Sequence, residues 1–469
     1  MKALFTVAGI CLVMVIVTAG LAAAEPEETY TNNVAQNETT EAAEAAFVPY
    51  IDYSGDLWTR TRPALTGDWG GLRTDLIDKG IRVDIDLIQT YQGVVEGGTR
   101  RHWKYGGSLD IGLDLDTGKA GLWPGGFLHM RAETQFGESI NRDIGALLGA
   151  NTDAMFPLPD QHEINLSTVM YMQFLSEWFA VFAGKIDTLD GDACHFSGGR
   201  GKDQFVNMNF VLNPVGLRTV PYSALGFGAT FLLPNPWGPD KDKTTLTFSF
   251  LDALGQPDVS GFGDAFDEGT VSTFELRLPT EFFDMPGSQL VGASYSSRDF
   301  TALDQDRRLI LANLLGLGPF ALATEDNSWS VYYNFHQYLY VKKDQKRESS
   351  GALPATKLLQ GLGVFGRVGF ADPETSPIEA FYSIGVGGRG LIPGRENDTF
   401  GAGFFYIDIS EELPNLVLQR FGDSNGVEVL YNIEVTPWLH ITPDIQIINP
   451  SNKSVDTAIV CGIRVKIDL

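Results

Sequence analysis

The residues of this chain best placed to act on another molecule are charged side chains at every second position. Arg131 and Glu133 stand two apart, while Leu128, Met130, Ala132 and Phe136 fall between and around them. In an extended chain, alternate residues point the same way, so guanidinium and carboxylate share one face and the apolar row takes the other. Arg277 with Glu275, Arg367, Arg389, and Arg464 with Lys466 occupy similar polar rows. A guanidinium offers a fixed fork of donors and a carboxylate only accepts. Facing each other across water, such groups exchange hydrogen bonds with a passing solute and set up a transverse field. They form no covalent bond.

Signatures of covalent chemistry do not accompany them. There is no G-x-S-x-G, no H-E-x-x-H and no P-loop. Gly198-Gly199-Arg200-Gly201 is Gly-rich but lacks a strand–helix context. Cys194 and His195 are adjacent without ligand-spaced partners, so neither a metal nor a cofactor is expected. The 59 acidic residues supply many carboxylate pairs, so a secreted β-rich glycosidase stays open as an alternative, as does a β-sandwich lectin.

The rows need strands to carry them. Ile459, Cys461, Ile463, Val465, Ile467 and Leu469 alternate with Gly462, Arg464, Lys466 and Asp468, and the chain stops on this run. A strand oily on one face and wet on the other suits the wall of a transmembrane barrel. The same alternation marks Ile81–Leu87, Leu109–Asp116, Val427–Val435 and Ile441–Ile447. Gly, Pro, Asn and Asp clusters separate the runs, as at Pro234-Asn235-Pro236 and Asn449-Pro450. About 16 strands of ~10 residues fit between 81 and 469. The expected fold is therefore all-β, an antiparallel up-and-down barrel. No window after the N-terminus reaches the ~18–20 apolar residues of a spanning helix. Trp178, Phe179, Trp237, Phe282, Phe283, Trp329, Tyr332, Tyr333 and Trp438 fit aromatic girdles at the membrane surfaces. Trp103, beside Arg100, Arg101 and His102, suits either a stacking platform or an interfacial turn.

Residues 1–24 read as a secretory signal, with Lys2, an apolar stretch and an Ala22/Ala24 cleavage site. Residues 25–50 read as an acidic disordered spacer. Residues 51–80 hold a short helix from Asp68, able to cap it, to Gly80, able to end it left-handed. The barrel takes 81–469. Net charge is −25; without Lys2 and the six acids of 25–46 there remain 33 basic and 53 acidic residues, a net of −20. Such a surface repels nucleic acid, and it repels free anions unless a local Arg cluster overrides the average. Cys194 and Cys461 are able to pair in an oxidising compartment, although Cys461 sits on the apolar row like a small hydrophobe.

Four segments carry a family resemblance. They are Leu65-Thr66-Gly67-Asp68-Trp69-Gly70-Gly71-Leu72-Arg73; Val364-Phe365-Gly366-Arg367-Val368-Gly369-Phe370; Gly387-Gly388-Arg389-Gly390 through Asp398-Thr399-Phe400-Gly401; and Glu428-Val429-Leu430-Tyr431 through Asn449-Pro450. In this order they resemble the carbohydrate-selective porins of bacterial outer membranes, the OprB type, from about residue 60 to the end. The resemblance implies a 16-stranded barrel with loops folded into the lumen and passive uptake of mono- or oligosaccharides. Sugars, outer-membrane lipid and other copies in a homotrimer, or none in a monomer, would be its partners. The alternative within the class is a general diffusion porin without sugar selectivity. The expected sugar contacts are Arg131, Glu133, Arg277, Arg367, Arg389 and Arg464. Asp68, Trp69 and Arg73 are expected to anchor the N-terminal helix.

Overall fold

The computed structural model describes residues 51–53, 55, 57, 62–156, 164–190, 194–237, 242–306, 321–342 and 359–469. All belong to one compact unit, Ala43–Leu469. The expected signal and spacer lie outside the described residues, as does most of the apolar run at 309–323.

Among the described residues, eighteen strands follow in chain order. They are β1 (Ile81–Glu96), β2 (Trp103–Asp116), β3 (Gly126–Gly137), β4 (Asn165–Ser176), β5 (Phe179–Asp187), β6 (Ser223–Leu233), β7 (Thr244–Asp252), β8 (Thr270–Phe282) and β9 (Met285–Ser296). Then come β10 (Phe300–Thr301), β11 (Thr324–Glu325), β12 (Ser328–Val341), β13 (Gly361–Ala371), β14 (Ile378–Arg389), β15 (Thr399–Ile409), β16 (Ser424–Thr436), β17 (Leu439–Asn449) and β18 (Ala458–Asp468). β10 and β11 form a separate ribbon; the other 16 close one antiparallel barrel. The closing pair is β1 with β18, in register from Asp86 opposite Asp468 to Val94 opposite Val460. Closure leaves no edge whose N–H and C=O groups would face hydrocarbon.

The alternation sorts the two faces as the sequence pattern requires. Tyr91, Tyr105, Ile111, Phe227, Ile384, Val429, Ile445 and Ile463 are exposed on the outside. Their neighbours Thr90, Ser108, Asp110, Ser383, Glu428, Asp444 and Arg464 are buried inside the wall. Trp123, Trp178, Trp237, Phe282 and Phe283 form an exposed aromatic set near one rim. Tyr91, Trp103, Tyr105, Tyr295, Phe370 and Tyr382 form a second set near the other. Trp103 stacks on Tyr91 with ring centroids 5.0 Å apart, on the outer face. It therefore belongs to a girdle and is no platform in the lumen.

Connections on the side of the N-terminal segment include the tight turns 177–178, 283–284 and 437–438. Those on the opposite side include the long loops 138–164, 188–222 and 297–327. Short turns face the periplasm and long loops the exterior in outer-membrane barrels. The two sides are called here the turn side and the loop side.

At the turn side a short helix, Leu72–Asp78, precedes β1. The Asp68 carboxylate accepts from the Thr74 N–H (2.9 Å) and hydroxyl (3.0 Å). Asp68 thus caps the helix from one turn upstream, and Gly80, at φ +75°, ends it. Arg73 donates to the Gly67 carbonyl (3.2 Å) and to the main-chain oxygen of Leu469 (2.5 Å). Its guanidinium also stacks over Trp69 (4.1 Å) and Tyr53 (4.6 Å). The helix is thereby fastened to the end of β18. Cys461 faces outward on β18, whereas Cys194 is buried inside the barrel; neither forms a disulfide, and the wall between them rules out pairing.

Candidate functional site: the constricted lumen

Loop 188–222 enters the barrel and packs against the inner wall. Its apolar face carries Phe196, Phe205, Phe210, Val211, Leu212 and Val215, all buried. The receiving wall is β13 to β15, whose inward row is studded with glycine. A Cβ at Gly401 would lie 2.7 Å from the Phe205 ring, and one at Gly403 2.5 Å from the Phe210 ring. Phe196 lies against Gly363 and Gly387 in the same way. The Gly-rich strands are thus a flat bed on which the loop's rings lie, completed by Phe365 and Phe405. No side chain larger than hydrogen fits beneath them.

Polar anchors fix the loop's register. Arg367 donates to Ser197 Oγ (2.9 Å) and the Phe210 carbonyl (2.6 Å). Arg464 donates to the carbonyls of Gly201 (2.5 Å) and Gln204 (2.8 Å). Glu428 accepts from the backbone N–H groups of Val206 (2.8 Å) and Asn207 (3.0 Å). Loop 138–164 joins in, with Asn151 donating to Gln92 and Gln446 donating to the Ala150 carbonyl.

The loop's tip is Gly199-Arg200-Gly201, with all three residues at positive φ. This tight reversal drives Arg200 across to β3 and β5. Its guanidinium pairs with Glu133 (2.9 Å) and Asp187, and donates to the Tyr222 hydroxyl (2.9 Å). Tyr222 in turn donates to Glu133. Burial raises the Tyr222 pKa, as do Asp187 and Glu133 against the opposing Arg200, so the phenol stays protonated. Lys202 pairs with Asp110 and lies 3.5 Å from Glu133 and 3.6 Å from Asp153. Burial works against its ammonium, but Asp110, Asp153 and Glu133 outweigh burial and raise its pKa.

Between this loop and the N-terminal segment lies a cavity of about 770 Å³, bordered by Tyr53 and Arg73 below and Cys194 to Gln204 above. Its cations are Arg73, Arg82, Arg131, Arg200, Lys202 and Lys466. Its acids are Asp84, Asp86, Asp110, Asp114, Asp203 and Asp468. Among the described lining residues the side-chain charges therefore balance, six against six, in a chain whose net charge is −25. Most are also paired. Arg82 bridges Asp84 (2.6 Å) and Asp114 (3.1 Å), His129 Nδ1 lies 2.5 Å from Asp114, and Lys466 bridges Asp203 (2.6 Å) and Asp468 (3.3 Å).

The expected contacts divide between two environments. Arg131 lines the cavity, one fifth exposed, with Nη1 3.4 Å from Asp187. Glu133 is fully buried behind Arg200, although it shares the inward row with Arg131. Arg367 and Arg464 are 1 % exposed and lie beneath the inserted loop. Arg277 borders a small cavity with Cys194 and His336. Arg389 ends β14 at the turn-side rim, donating to Asn397 (2.6 Å). The sequence rows thus placed all six inside the wall, and the loop then covered three of them. Arg82 and Lys466 were visible on alternating rows. Arg200 and Lys202 carried no periodic signal; their only mark was the Gly-rich run around them.

A closed barrel with oily outer rows, aromatic rims and an inserted loop bounding a wet passage defines an outer-membrane porin. Residues 100–469 match the carbohydrate-selective porin, OprB family, and the chain belongs to that family. It is 20% identical over 440 residues to Porin B of Pseudomonas aeruginosa, covering 86% of this chain and 90% of that protein. Its fold is similar to the high-pH structure of Pseudomonas putida OprB, with TM-score 0.71, 18% identity and coverage of 87% and 98%. The low-pH structure of the same protein superposes with TM-score 0.51, 15% identity and the same coverage. The chain is an outer-membrane porin for sugars.

Proposed function

We propose that neutral mono- or oligosaccharides diffuse down their gradient past the loop 188–222 and through the paired-charge cavity on its turn side. Arg82, Arg131 and Lys466 serve as donors, and Asp84, Asp203 and Asp468 as acceptors. Arg389 adds a contact at the rim. Glu133, Arg367 and Arg464 act through the loop they touch, and Arg277 borders the small cavity it shares with Cys194. The observation that carries this reading is the balance of six cations against six acids around the cavity. A balanced lining neither concentrates nor rejects ions, yet it presents dense hydrogen-bonding groups that replace part of a hydroxylated solute's water. Because each group already has a partner, a sugar exchanges one hydrogen bond for another, and binding stays weak enough for release. The reading contains no covalent step. Each barrel holds its own passage, since the strands close within one chain, whether the assembly is a monomer or a homotrimer.

The test is ion current through single channels in a planar bilayer. Glucose or maltose should reduce the current at millimolar concentrations. Arg131→Ala should raise the half-blocking concentration about threefold to tenfold, the net worth of one ordinary hydrogen bond. A channel indifferent to every neutral sugar would support the general diffusion porin instead.

A further inference from the structure

A second group of cations lies away from the paired cavity, at the loop side. Arg218 ends the turn Pro214–Arg218, and Arg298 follows β9. Both guanidiniums pack on one ring, with Cζ 5.1 Å (Arg218) and 4.4 Å (Arg298) from the centroid of Phe300, itself 1 % exposed. Arg298 donates to the Arg218 carbonyl (3.3 Å), and Arg218 Nε donates to the Thr375 carbonyl (3.2 Å). Among the described residues neither has a carboxylate within ion-pair distance, and Arg298 Nε is buried without a partner. Burial lowers the pKa of both, and at Arg298 the neighbouring Arg218 lowers it further while Glu268 acts the other way. Every cation named around the cavity below except Arg73 has a carboxylate partner. Here the fold brings two like charges together in a strongly acidic chain with only backbone carbonyls as hydrogen-bond acceptors among the described residues, an arrangement that an anion from outside would complete.

The position says where that anion comes from. Thr219, next to Arg218, bonds the inward-facing Ser294 (2.6 Å), and Asn213 bonds the inward-facing Asn334 (3.1 Å). Arg218 therefore stands inside the mouth of the barrel, and the lipid is on the far side of the wall. We propose that Arg218 and Arg298, braced on Phe300, form an oxyanion site at the outer entrance that captures the carboxylate or phosphate of an acidic sugar before it reaches the constriction. The guanidinium fork matches both groups. This extends the sugar-diffusion reading to an acidic substrate class and rests on it only for the direction of travel.

The test compares glucuronate, glucose 6-phosphate and glucose, each added from the loop side of the intact channel, with inorganic phosphate as a probe without a sugar. The acidic sugars should block at concentrations about threefold to tenfold lower than glucose. In R218Q/R298Q that advantage should vanish, while the glucose block is unchanged and the protein still migrates as a folded barrel on an unboiled gel. R298K, which keeps the charge but not the fork, should fall between. Should the double variant fail to fold, R298Q alone should lose part of the advantage. Glucuronate and glucose 6-phosphate no better than glucose in the native channel, or an advantage undiminished in R298Q, overturns the site. Phosphate competing as well as glucose 6-phosphate shows that the anionic group alone is read. Loss of glucose block in the native channel would strike the neutral-sugar reading and leave the anion comparison intact.

Discussion

Phe210→Ala should loosen the inserted loop without opening the barrel. Phe210 is fully buried and lies 4.8 Å from Phe205 and 5.7 Å from Phe405 between ring centroids. Truncating a phenylalanine so enclosed costs about 3–5 kcal/mol. The bed beneath it is Gly403 backbone, which cannot swing a side chain into the void, so the upper part of that range applies. The loss falls on the docked loop and not on the strand ladder, because Phe210 belongs to no barrel strand. The undocked fraction should therefore rise by a factor on the order of 10³. Arg367, Arg464 and Glu428 still hold the loop's backbone, so docking remains the majority state. In planar bilayers the variant should show brief excursions to higher conductance and a weakened sugar block. Phe205→Ala added to it should lengthen those excursions. Heat-modifiable migration reports that the barrel is closed. Steady native-like current in both variants, with folded barrels, would refute the claim that these rings hold the constriction.

Lys202→Met removes one ammonium from among Asp110, Glu133 and Asp153 and leaves buried carboxylates under-compensated. The expected loss in loop docking is about 3–5 kcal/mol, read as channel noise, whereas Lys202→Arg should retain much of the native behaviour. The pKa of Lys202 is raised when docked, so its contribution is complete below the ordinary lysine pKa and disappears as pH climbs through the higher docked value. Docking should hold through neutral pH and weaken only in strong alkali. His195 behaves oppositely. Burial, then Arg277, lowers its pKa to about 4. A displaced loop takes up a proton below about 6.5 that the docked loop refuses, so docking weakens from about pH 6.5 and levels off near 4. His195→Phe should flatten the acid part of a conductance–pH curve; an unchanged slope would exclude His195 as its origin.

The wall was legible because its physics is local. A residue's parity along Ile459–Asp468 decides whether it meets lipid or water, and no distant contact can alter that parity without breaking a ladder. Arg131, Arg277 and Arg464 were therefore assigned to the inside from spacing alone. What spacing could not say is what else occupies the inside. Glu133 and Arg464 sit on the same rows as Arg131 but are covered by residues 67 and 263 positions away. Arg200 and Lys202 reach the site from a loop with no period, where only Gly199 and Gly201 betray the reversal. The glycines of β13 to β15 read as a family motif, and their meaning as a bed for Phe196, Phe205 and Phe210 required the loop's position. Trp103 stayed open between platform and interfacial turn because its neighbours Arg101 and His102 are polar, and its parity with Tyr105 settles it on the outside.

The most direct test of the account is swelling of liposomes that contain the purified protein. Iso-osmotic glucose and a disaccharide should enter, with rates ordered by size, and both should enter faster than an amino acid of glucose-like mass. Equal rates for sugar and amino acid would contradict sugar selectivity, and no swelling with any solute would contradict the open passage itself.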